Sequence, residues 1–291
     1  MALKLYCNAF WPGFLEGTDP VSIRFFLELL VHVFQGPIEL TGNIKEGDIL
    51  LESIFGSTAL FQRPWKYSIL FSGESRIFPH TADYTCVLWG IPTAGNVVCC
   101  PLFLPYIYST KKQALLGTIP PRLPPKPRIL VVISNPRGDV RNQFLDILER
   151  FFPIDYAGRY RNNVPVIQAG YDTDEFRHFV SQYRCVLAME NSQASHYLTE
   201  KITHGFLAGT VPIYWGAPSV SEYFNEDRFI QVKSMGEDDL NEALNKIMMV
   251  MRDDDAYLSM VQVPLFAGPN VSMPSLYQGL VENMRKLLRA T

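Results

Sequence analysis

The sequence predicts an α/β chain in two Rossmann-like domains, on three observations. Apolar runs of strand length alternate with helix-period stripes, the runs end in small or polar residues, and one proline-dense segment breaks the series near the middle. LKLYCNAF (Leu3 to Phe10) reads as the first strand, and Asp19-Pro20 then caps the helix VSIRFFLELLVHVF, since proline suits a first helical turn. GDILLESIFG, KYSILFSGES and DYTCVLWG follow as further strands. In TIPPRLPPKPRIL five prolines fall between Pro120 and Pro127, and such a run favours extended polyproline geometry over helix or sheet. This divides the chain into an N-terminal domain (1–119), a semi-rigid linker (120–127), a C-terminal domain (128–270) and a terminal helix (271–291) that returns to the first domain.

Beyond the linker, RILVVISNP makes a β-branched strand, and VRNQFLDILERFF sets Val140, Phe144, Ile147, Leu148 and Phe151 on one helical stripe. A short strand near Ile154-Asp155, a helix over 174–182 and the strand RCVLAME come next. A helix entered near Leu198 stops at Gly209, the strand TVPIYWG follows, and DDLNEALNKIMMVMRDD and SLYQGLVENMRKLLRA are amphipathic helices.

Composition excludes several classes. With 47% hydrophobic and 19% charged residues over 291 positions the chain is an ordinary globular sequence, and its net charge of -3 with no dense Lys/Arg stretch argues against nucleic acid as a partner. Cys7, Cys86, Cys99, Cys100 and Cys185 lack the CxxC spacing of zinc sites, and their odd number does not suit a disulfide scaffold. No stretch approaches the ~18 apolar residues of a membrane span, and the N-terminus lacks a signal core, so the chain reads as cytoplasmic or as a soluble part separated from a membrane anchor.

The segment ENSQASHYLTEK (190–201) concentrates polar groups just before an apolar helix. Lys201 in that helix's first turn opposes the helix dipole at roughly a few tenths of a kcal/mol, which an anionic ligand would answer. Continued through GTVPIYWGAPS, the stretch from Ala188 to Ser219 resembles the signature of the α1,3/4-fucosyltransferases of glycosyltransferase family 10, with Leu198 where Val is usual. ISNPRGDVRNQF (133–144) and LFSGES (70–75) resemble two further segments of that family.

The resemblance implies a GT-B type fold, with two Rossmann-like domains facing across a cleft, and inverting α1,3-type transfer of L-fucose from GDP-fucose to a glycan hydroxyl, the family default being an N-acetylglucosamine-containing acceptor. It assigns donor-site roles to Arg141, Asn191, Tyr197, Glu200 and Lys201, and the general base to Glu74. The chemistry asks for such groups: a base on one side of the anomeric carbon, and cations for the departing diphosphate on the other. Glu200 suits ribose hydroxyls, while Asn191 and Tyr197 offer neutral hydrogen bonds. Asp172-Thr173-Asp174 has the form of a metal-binding triplet but opens a helix, where Asp is a favoured cap, so no metal site is assigned. The expectation is catalysis without a strictly required metal, compatible with stimulation by Mn²⁺. Phe10, Trp11 and Trp89 suit either a sugar-stacking wall or the core, and Glu52 and His80 are the reserve bases. His196 and His204 read as hydrogen-bonding or surface side chains. The alternatives are a transferase for another nucleotide sugar and a non-catalytic nucleotide-sugar-binding module.

Overall fold

The computed structural model describes residues 2–76, 78–92 and 94–289. They form two compact units: one runs through Lys111 and includes Ala194–Tyr197 and the segment from Ser272, and the other holds Lys112–Gln193 and Leu198–Val271.

The first unit is a parallel sheet of β1 (Leu3–Asn8), β2 (Ile38–Leu40), β3 (Ile49–Glu52), β4 (Tyr67–Ser72), β5 (Cys86–Trp89) and β6 (Val97–Cys99), in spatial order β2-β1-β3-β4-β5-β6. The inner strands β3 and β5 are buried at every residue, because a parallel sheet covered on both faces selects continuous apolar runs rather than alternation. Helix α1 (Ile23–Phe34) buries Ile23, Phe26, Leu30 and Val33 at helical spacing, and α2 (Phe103–Ser109) carries Pro105 in its first turn. The first strand ends at Asn8, two residues before the expected Phe10, because Ala9 turns into the left-handed region at φ 57°. The short β2, β6 and α2 had no signal in the sequence pattern.

The second unit is a parallel sheet of β7 (Lys126–Val131), β8 (Ile154–Tyr156), β9 (Tyr183–Met189), β10 (Val211–Trp215) and β11 (Ile230–Gln231), in order β11-β10-β9-β7-β8. Strand β7 takes in Lys126 and Pro127 and so begins inside the expected linker. Its register with β9 runs from Lys126 opposite Tyr183 to Ile129 opposite Cys185, so one extra residue bulges out where Pro127 has no N–H to give. Around the sheet lie α3 (Asp139–Leu148), α4 (Asp174–Val180), α5 (Lys201–Ala208), α6 (Val220–Tyr223), α7 (Glu237–Arg252) and α8 (Asp254–Gln262).

The expected single helix through residues 238–254 is two helices. Asp253 breaks the run at φ -116°, ψ 117°, and its Oδ1 accepts from Asp255 N–H at 2.9 Å and Ala256 N–H at 3.0 Å, capping α8. Asp253 thus opens the second helix, where the amphipathic pattern predicts one helix continuing through Asp254.

Helix α9 (Met273–Arg289) returns to the first unit. Its buried stripe of Met273, Tyr277, Leu280, Val281, Met284 and Leu288 faces the helix layer that includes α1, with Tyr277 OH 2.8 Å from His32 Nδ1 and Tyr277 stacked on Tyr108 at 4.6 Å. Among the described residues no helix is long and apolar enough to cross a membrane.

Candidate active site

In a parallel sheet the strand order reverses where successive crossovers leave to opposite sides, and ligands bind in the crevice at the strands' C-terminal ends there. In the second unit that point lies between β7 and β9, which part toward β8 on one side and β10 on the other. A cavity of about 260 Å³ opens there, walled by residues 132–135 after β7, by Val186, Leu187 and Met189 of β9, and by Arg141, Asn191, Glu200 and Lys201. Four of the five expected donor-site residues, distant in sequence, therefore share one cavity.

Arg141 comes from the first turn of α3 and is only 5% exposed. Its guanidinium donates to the carbonyls of Asn135, at 2.8 Å, and Arg137, while its Nε is buried without a hydrogen-bond partner. Among the described residues no carboxylate pairs with it. Burial holds its pKa below the ordinary arginine value. A buried cation with an orphaned donor at the mouth of a cavity is an expensive arrangement unless an anion completes it.

Lys201 begins α5, three residues later than the expected entry near Leu198. The delay has a cause in Glu190, a residue to which the sequence reading gave no role. Its side chain is fully buried and accepts from Thr199 N–H at 2.7 Å, Thr199 Oγ1 at 2.8 Å and Lys201 Nζ at 2.8 Å. Those bonds hold residues 198–200 outside the helix. They also supply the negative charge that answers Lys201 at the helix start, a part that the sequence argument had given to a ligand. Desolvation raises the Glu190 pKa, against the opposing pull of Lys201. Gly216 makes room for this side chain, since a Cβ there would lie 2.4 Å from Glu190 Cγ. The signal that could have found Glu190 was its place between an apolar strand and a lysine eleven positions on.

Glu200 occupies the N-cap position of α5, and its carboxylate makes no hydrogen bond among the described residues, leaving it available to hydroxyl groups on the cavity wall. Asn191 is exposed at the rim. His204, one helical turn after Lys201, lines the cavity beneath Tyr171, at 5.8 Å, and Phe176, at 5.2 Å, and desolvation draws its pKa down to about 4. The ring is therefore neutral at pH 7. Tyr197 is buried, lies outside the cavity lining and groups with the first unit, as does His196, whose N–H donates to Gly90 O at 2.8 Å.

Glu74 belongs to the first unit, two residues after β4. Its carbonyl accepts from Trp89 Nε1 at 2.6 Å, its N–H donates to Ser72 Oγ at 3.2 Å, and its carboxylate has no partner among the described residues. The reserve bases are otherwise engaged: buried Glu52 accepts from Asn8 Nδ2, Ala59 N–H and Tyr84 OH at 2.7 to 2.9 Å, and His80 faces Asp83 at 3.2 Å. Trp89 is a core residue, 1% exposed, whereas Phe10 and Trp11 line a shallow hollow of the first unit with Leu15 and Glu16. In the acidic triplet, Thr173 caps α4 by accepting from Phe176 N–H, and Asp174 pairs with Arg177 at 3.3 Å. Among the described residues no three His, Cys, Asp or Glu side chains gather as a metal-ligand set.

Two parallel α/β units, one with a basic crevice at its switch point, define the GT-B class of glycosyltransferase fold. Crystal structures of an α1,3-fucosyltransferase have this fold: the form with GDP superposes at TM-score 0.74 and that with GDP-fucose at 0.69, each 22% identical and covering 99% of this chain and 90% of the other. Residues 125–262, most of the second unit, match the family described as glycosyltransferase family 10 (fucosyltransferase), C-terminal part. The α-(1,3)-fucosyltransferase FucT of Helicobacter pylori is 38% identical over 130 residues, 45% of this chain and 26% of that protein. The GDP-fucose protein O-fucosyltransferase 3 of Xenopus laevis is 26% identical over 137 residues, 45% of this chain and 29% of that protein. The matched stretch is thus between a quarter and a third of the length of these curated relatives.

Proposed function

We propose that the chain is an inverting α1,3-type fucosyltransferase that moves L-fucose from GDP-fucose to a hydroxyl of an N-acetylglucosamine-containing glycan. The observation that carries this reading is Arg141, a buried guanidinium with an orphaned Nε and no carboxylate, on the same cavity wall as Lys201. A diphosphate supplies the missing negative charge, and it gathers more charge as the glycosidic bond breaks, so Arg141 and Lys201 stabilise the leaving group most when it departs.

In this reading Glu200 accepts from the ribose hydroxyls, Asn191 gives a neutral hydrogen bond, and Glu74 takes the acceptor's proton, while Tyr197, outside the cavity lining, has no part in holding the donor. The two cationic side chains do the neutralising, so no divalent metal is strictly required and Mn²⁺ acts at most as a stimulant. Release of GDP from GDP-fucose, followed across disaccharide and peptide acceptors, tests it. Transfer to N-acetyllactosamine at the 3-hydroxyl supports the proposal. Turnover of a different nucleotide sugar in preference to GDP-fucose would overturn it, and tight GDP binding without turnover on any acceptor would make the chain a binding module.

A further inference from the structure

A second buried arginine of the second unit faces a different cavity. Arg228 lies in the turn ahead of β11 and is 5% exposed. Its guanidinium gives one hydrogen bond, from an Nη to Thr210 O at 3.2 Å, and sits 5.5 Å from the Phe206 ring centre. Among the described residues no carboxylate pairs with it, although Glu226 and Asp227 precede it directly in sequence and are exposed. Its remaining donors have no hydrogen-bond partner among the described residues. Burial draws its pKa down to about 10, as expected for a cation that has left water without gaining a counter-charge.

The cavity beside it has a volume of about 180 Å³. At the ~30 Å³ that one water occupies in the liquid, this is room for about six waters and therefore for a small organic acid. Its lining is mixed: Ile119 and Pro121 of the proline-rich segment, Phe206 of α5, Val261 of α8 and Leu265 supply an apolar wall, while Arg228 and Gln262 bring polar groups. Arg228 is the one charged residue of the lining. The proline segment thus has a local task, since its extended backbone forms one wall and Ile119 packs against Gly209, which at φ 70° closes α5 and leaves no room for a side chain.

We propose that this cavity binds a short aliphatic monocarboxylate, with its carboxylate on Arg228 and its hydrocarbon tail against Ile119, Pro121, Phe206 and Leu265. The chemistry selects this class over phosphate. A guanidinium fork matches a carboxylate's two oxygens, whereas a phosphate dianion calls for more charge than the single arginine of this lining supplies, and it has no tail to cover the apolar wall. The site shares no lining residue with the cavity of Arg141 and Lys201.

The test uses the full chain and butyrate as probe, with butyramide as the neutral isostere and inorganic phosphate as the competing anion, read as the shift of thermal midpoint with ligand concentration. Butyrate is expected to raise the midpoint in the millimolar range and butyramide to leave it unchanged. Arg141→Met should keep the butyrate response and Arg228→Met should lose it. Should Arg228→Met fail to fold, Gln262→Glu decides: a carboxylate at the cavity lining occupies Arg228 from within and should abolish the response in a folded protein. Equal responses to butyrate and butyramide, a response lost in Arg141→Met but kept in Arg228→Met or Gln262→Glu, a stronger Arg228-dependent response to phosphate, or no response in the parent chain would each overturn the proposal.

Discussion

Replacing Arg141 by methionine should move stability and GDP affinity in opposite directions. Methionine keeps most of the length and apolar body of the side chain but removes the charge. The unliganded protein loses two hydrogen bonds to the carbonyls of Asn135 and Arg137, residues exposed enough for water to take over, at about 0.5 to 1.5 kcal/mol each. It gains by no longer burying an orphaned Nε, worth about 1 to 3 kcal/mol, and an unpaired charge, whose replacement by apolar groups is often stabilising by about 1 to 4 kcal/mol. The losses total about 1 to 3 kcal/mol and the gains about 2 to 7 kcal/mol, so at mid-range the balance is a stabilisation of about 2 to 3 kcal/mol. GDP affinity should fall about 10- to 100-fold, the loss of one charge-assisted contact of about 1.5 to 3 kcal/mol. At a GDP concentration of about 100 times the parent's dissociation constant, the parent gains about 2.7 kcal/mol from ligand and a 100-fold weaker variant only about 0.4 kcal/mol. Thermal unfolding with and without GDP reads both quantities at about 2 to 4 °C per kcal/mol. The parent should then shift by about 5 to 11 °C and the variant by about 1 °C, from a higher starting midpoint. A variant that unfolds earlier without ligand yet keeps the full GDP shift would refute the reasoning, since Arg141 would then be a structural residue.

Glu190→Gln should cost about 2 to 3 kcal/mol, less than a fully buried ion pair because Lys201 is 29% exposed, and an unchanged midpoint would remove Glu190 as the anchor of the 198–201 turn. Glu74→Gln should lower acceptor turnover about 10²- to 10⁴-fold with GDP affinity nearly constant, measured by kinetics beside calorimetry; near-normal turnover with weak donor binding would reassign it to sugar positioning. His204 gives a pH signature. Above pH ~6.5 the ring is neutral folded or unfolded, and as pH falls toward about 4 only the unfolded chain takes the proton, so up to about 3 kcal/mol of stability drains away. The difference in midpoint between the parent and His204→Gln should therefore change between pH 7 and 4, and a constant difference would contradict this. Turnover should survive EDTA, and complete loss restored by a divalent ion would direct attention to Asp172 and Asp174.

What could be read without the fold was whatever repeats along the chain. The α/β alternation, the returning amphipathic α9 and the ordered run from Ala188 to Ser219 are local patterns, each set by a period or a motif within a few tens of residues. Where a local signal had two uses, the sequence alone chose wrongly: Asp253 looked like the end of one helix but caps the next, and Pro127 looked like linker but sits in a bulged strand. Three-residue strands such as β2 and β6 were too short for a period to show.

The site itself was partly legible. Arg141, Asn191, Glu200 and Lys201 could be named from their motifs, but their meeting around one cavity depends on β7 and β9 lying side by side, a pairing between segments some fifty residues apart that no local pattern specifies. Burial is likewise a property of the packed chain. Only the tertiary structure shows that Glu190 is enclosed with Lys201, that Tyr197 groups with the other unit, and that Arg141 and Arg228 are buried with no carboxylate paired to them among the described residues. In sequence a charged residue is read as solvated, and the cost of removing it from water exists only once neighbours distant along the chain have closed around it.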